Sequence, residues 1–73
     1  MKETIIINLL NPTIATLTKT YLSRQYPDFT FEVKQYYSEI IHILTHSEMS
    51  QERLWEIQAY ARGVTDVLGR LAD

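Results

Sequence analysis

Two histidines, His42 and His46, stand four residues apart, a spacing that on a helix would turn both imidazoles to one side and could hold a metal ion. The chain has no cysteine, and no carboxylate accompanies them in a recognisable ligand pattern, so open strand-face residues are the plainer reading. No metal is expected. The parts of a catalytic site are missing as well. The only glycines, Gly63 and Gly69, form no phosphate-cradling loop, and no thiol is available as nucleophile. Glu32, Glu39, Glu52 and Glu56 show no paired arrangement for acid–base work. These residue types point to a non-enzymatic protein without a cofactor.

A second constellation is aromatic. Phe29, Phe31, Tyr36 and Tyr37 around Lys34 invite comparison with sheets that stack RNA bases. Phe29 and Phe31 share parity with Val33, however, which is the expected core face of a strand. Tyr36, Lys34 and Thr30 fall on the other face. They keep a nucleic-acid-binding module open as the alternative function, against a net charge of −2 and a pI near 5.6.

The third constellation surrounds Trp55. Leu54, Ile57, Ala61, Val64, Leu68 and Leu71 recur at steps of three and four and form one apolar stripe along a helix from about Ser50 to Leu71. Trp55 falls on the opposite side, near Ala59, Arg62 and Asp66, with Glu52, Glu56 and Gly63 beside them. Aromatic residues and arginine are enriched in binding hot spots, and small residues admit a close neighbour. These six residues, Glu52, Trp55, Glu56, Ala59, Arg62 and Asp66, form a candidate face for docking a larger protein. The competing reading has Trp55 fold back over the edge of the core. Gly63, inside the helix, costs roughly 1 kcal/mol against alanine, which hints that space is needed there.

The rest of the chain must supply a surface for that helix, since a lone amphipathic helix is unstable in water. Glu3 to Leu10 reads as a strand, central in the sheet, ended by Asn11-Pro12. Asn11 caps a first helix with Pro12 at its first position, and Ile14, Leu17, Tyr21 and Leu22 line one side of it. Tyr26-Pro27-Asp28 stops that helix. Phe29, Phe31 and Val33 alternate with polar residues as a strand, and Ile40 to Leu44 forms its hairpin partner, with the turn near Tyr37-Ser38. Residues 33 to 44 also fit helical spacing, so an all-helical chain is the alternative. A capping box of Thr45 with Glu48 starts the last helix, with Ser47 and Ser50 as later candidates. The order β-α-β-β-α implies a single α+β domain, a three-stranded sheet with both helices on one face.

Size and composition agree with one small core. Seventy-three residues make one domain with a narrow margin of stability, and without a disulfide the chain depends on packing or on a partner. A homodimer is therefore open. Hydrophobic residues at 45% against 22% charged argue for a folded chain rather than disorder. The run Ile5-Ile6-Ile7, soon interrupted by Asn8 and Asn11, is too short for a signal peptide or membrane span, so no membrane role and a cytoplasmic setting are expected.

This order, with Ser23-Arg24-Gln25-Tyr26-Pro27-Asp28 ending the first helix and Phe31-Glu32-Val33-Lys34 in the next strand, resembles the DinI family of small DNA-damage-inducible proteins. The likeness spans most of the chain. It implies a βαββα fold and a regulatory role in the SOS response through binding the RecA recombinase filament. Two departures bear on that role. The last helix of that family presents a dense acidic ridge, whereas here Glu48, Glu52, Glu56, Asp66 and Asp73 alternate with Arg53, Arg62 and Arg70. The tryptophan also lies near the start of the helix, at Trp55, rather than at its end.

Overall fold

The structure, a computed structural model, describes residues 3–37 and 40–72. Five elements follow in order: β1 (Thr4–Leu9), α1 (Pro12–Gln25), β2 (Glu32–Tyr36), β3 (Ile40–Thr45) and α2 (Gln51–Ala72). They make the expected α+β domain. The sheet order is β1-β3-β2 with antiparallel neighbours, so β3 is central and β1 lies at an edge. This corrects the expectation of a central β1, which rested on its unbroken isoleucine run. A bulge between Ile5 and Ile7 accounts for that run. Ile5 pairs with Leu44 and Ile7 with Ile43, and the extra residue, Ile6, is buried in the core.

The start of α1 follows its sequence signals. The Asn11 Oδ1 accepts hydrogen bonds from the Thr13 and Ile14 amides at 2.9 and 3.1 Å, with Pro12 at the first helical position. Such a cap contributes about 1 kcal/mol. Its buried face differs from the expected one. Ala15, Thr18 and Leu22 are buried, whereas Leu17 and Tyr21 are exposed at the rim. Small residues at 15 and 18 let the helix approach the sheet closely.

After the helix, the Phe29 amide donates to the Tyr26 carbonyl at 3.1 Å, a turn that delays β2 to Glu32 instead of Phe29. The hairpin is present, which sets aside the all-helical alternative. Tyr37 enters its turn at φ 62°, a left-handed conformation usually given to Gly or Asn. Ser38, the other residue of the expected turn, lies outside the described residues. The Thr45–Glu48 capping box does not form. Thr45 is still in β3 and fully buried, its hydroxyl donating to the Thr30 carbonyl at 2.6 Å and accepting from the Ser47 amide at 3.0 Å. Ser50 caps α2 instead, its hydroxyl accepting from the Arg53 amide at 3.1 Å.

Ile6, Leu22, Tyr26, Phe31, Ile43, Ile57 and Ala61 form one buried cluster drawn from both helices, β1, β3 and the approach to β2, with Val33 of β2 packed against it. Both helices therefore cover the same sheet face. The other face is partly covered, with Ile5 and Ile40 exposed on it. Leu44, paired between Ile5 and Glu32, has no exposed surface, and the Glu3–Lys34 ion pair at 3.2 Å reaches from the β1 side to β2 across β3.

Candidate docking surface

The 22 residues of α2 span about 33 Å at 1.5 Å per residue, close to the 35 Å long axis of the molecule. A six-residue strand spans only about 20 Å. The helix therefore outruns the sheet. Ile57 and Ala61 are buried and Leu54 half-buried over the strands; farther on, Val64 and Leu68 are only half-buried and Leu71 is 78% exposed. The expected stripe thus does two jobs, and its last member does not belong to the core.

Beyond the sheet, α2 lies beside α1, and the two helices frame an apolar groove of about 580 Å³. Tyr21 supplies one wall; Ala59, Gly63, Val64, Val67 and Leu71 supply the other. Val67 is 55% exposed, and Leu17, one turn before Tyr21 on α1, continues the exposed apolar surface beside Leu71. Sequence reasoning missed this groove. Its signal was available, since Ala59, Gly63, Val67 and Leu71 follow at steps of four, an uncharged ridge winding off the outer face.

The six residues expected to dock a partner are all exposed and lie along one side of α2. Ala59 lines the groove. Arg62 and Asp66 border a neighbouring notch with Asn8, Leu9, Leu10 and Asn11 that shares Gly63 with the groove, and Asp66 pairs with Arg70 at 3.0 Å. Glu56 pairs with Arg53 at 3.1 Å and Glu52 sits in the first turn. Trp55 is 61% exposed and stands out from the core rather than folding over it. Exposed ion pairs of this kind contribute little to stability. They do divide the helix electrically: Glu52 and Glu56 outnumber Arg53 in its first half, and Arg62 and Arg70 outnumber Asp66 in its second. Close by, Tyr26 stacks edge-on against Tyr60 at 5.7 Å, and burial, reinforced by the neighbouring Glu56, raises the pKa of its phenol above the ordinary value.

On the open sheet face, Tyr36 and His42 lie 4.9 Å apart and the Lys34 ammonium is 5.7 Å from the Tyr36 ring. Lys34 is held by its hydrogen bond to Glu3, which raises its pKa. His46 lies 3.2 Å from Glu32. Four residues of extended chain separate His42 from His46 by about 13 Å, so the helical ligand spacing does not apply. Among the described residues, no group of three or more His, Cys, Asp or Glu side chains converges. No described helix is long and apolar enough to cross a membrane.

Comparison with known proteins adds no relative: no family model, no curated protein and no solved structure matches this chain.

Proposed function

We propose that this chain is a small non-enzymatic regulatory domain of the cytoplasm that acts by docking a larger protein through the exposed side of α2. One observation carries the reading. The Ala59, Gly63, Val67 and Leu71 ridge and Tyr21 offer a contiguous apolar surface that the domain leaves uncovered. Trp55 and the charges of Glu52, Glu56, Arg62 and Asp66 flank it, the polar surround typical of a protein interface. The DinI-like element order makes a recombinase filament the first partner to try, and with it a role in the DNA-damage response. With acidic and basic residues interleaved on α2, such binding would rest on the apolar ridge rather than on acidic mimicry of DNA.

Co-sedimentation with a recombinase filament assembled on single-stranded DNA tests this. Val67→Asp should abolish capture, and Trp55→Ala should weaken it about tenfold with little change in Tm. A Trp55→Ala chain that unfolds or loses several kcal/mol would return Trp55 to the core. The Tyr36, His42 and Lys34 cluster favours the second reading, nucleic-acid binding on the open sheet face. Titration with free single-stranded DNA and RNA at low salt separates the two. Tight, salt-dependent binding to the free strands counts for the sheet face; binding only at millimolar concentration counts against it.

A further inference from the structure

The inference rests on reading α2 as a docking surface. We propose that a second copy of this chain also occupies that surface, through antiparallel α2 helices crossing at Gly63. The first observation is Gly63 itself. A Cβ added there would meet nothing within 4 Å, so no contact inside the chain calls for glycine at this helix-interior position, where alanine is the better helix former. Close approach from outside supplies the missing physical reason.

The second observation is the symmetry of the residues around that point. A two-fold axis at Gly63 brings each position against the one equally far on the other side. Ala59, four residues before, meets the partner's Val67, four residues after, so a small side chain receives a larger one twice. Glu56, seven residues before, meets the partner's Arg70, seven after, giving two ion pairs of opposite sign at the ends of the contact. Glu56 and Arg70 are both exposed, and their present partners, Arg53 and Asp66, lie on their own helix, leaving them free to exchange.

The third observation decides the direction. Within Gln51–Ala72, the first half of α2 carries an acidic excess of one charge and the second half a basic excess of one. Antiparallel pairing sets unlike halves together, whereas a parallel pair would align like with like. The Val67 and Leu71 edge of the groove is buried as the helices close. One helix pair covers less than the roughly 800 Å² per partner of a standard interface, so the dimer is weak and reversible. It also hides the surface offered to a larger partner, so dilution exposes that surface and concentration masks it.

Sedimentation equilibrium of the full chain from about 10 µM to about 1 mM tests the pairing. The mass should rise from 8.6 kDa toward twice that value. Glu56→Arg alone or Arg70→Glu alone should weaken association about tenfold or more, and both changes in one chain should restore it. Gly63→Leu should abolish it with circular dichroism unchanged. A chain that stays monomeric throughout overturns self-pairing, and filament capture by the same sample then shows that the docking reading survives. A dimer indifferent to both single charge reversals overturns the antiparallel register. Failure of both the dimer and filament capture overturns the proposal and the reading beneath it.

Discussion

The two halves of α2 have similar apolar content and opposite fates. From Gln51 to Ala61 the helix buries Ile57 and Ala61 against the sheet; from Arg62 onward Val67 and Leu71 stay in solvent. The difference comes from what lies beneath them. A sheet about 20 Å long carries only the first part of a helix about 33 Å long, and α1 shelters the rest on one side. An apolar stripe therefore measures a capacity for burial, and the length of the supporting layer decides how much of it becomes core.

The sharpest way to break this contrast is paired truncation. Ile57→Ala should lower the unfolding free energy by about 3 kcal/mol in urea titrations. Thr18 comes next. Its hydroxyl is fully buried with no hydrogen-bond partner, so Thr18→Val should raise stability by about 1 kcal/mol, placing the tight contact of α1 firmly on the sheet side. Leu71→Ala, at the far end, should change stability by less than about 0.5 kcal/mol; a loss near that of Ile57→Ala would erase the distinction.

The smallest effect is optical. Tyr26, under the packed half, should ionise above the ordinary tyrosine range in an alkaline absorbance titration, because burial and Glu56 raise its pKa above 10.0. A raised folded-state pKa favours the protonated phenol. Its contribution is fully present below the ordinary pKa and is lost as pH rises through the raised one, so stability should fall there and Tyr26→Phe should soften the fall.

Much of the fold was readable because single residues carry strong local signals. Asn11-Pro12 marks the start of α1, Tyr26-Pro27 its end, and the stripe marks α2. The hairpin turn was placed correctly at Tyr37 although no glycine or asparagine announces its left-handed conformation. The misreadings arose where an interaction distant in sequence decides. The helix cap was misplaced because the Thr45 hydroxyl is claimed by Thr30, fifteen residues away. Periodicity set the side of the helix on which Trp55 stands, and only the packing decided that it stays exposed. The α2 ridge of the groove was legible in the same periodicity, but its other wall was not, because Tyr21 reaches it from α1 and only the packing of two helices brings Tyr21 beside Val67.

The bulge at Ile6 has one more consequence. As an edge strand, β1 carries backbone groups that could recruit another chain into a growing sheet, the route by which small β-containing proteins aggregate. An unpaired extra residue twists that edge and spoils its register, and Gln58 of α2 donates to the Ile5 carbonyl beside it at 3.3 Å. The domain thus blunts fibril-like growth at one margin while leaving a helical surface open to a finite, reversible contact.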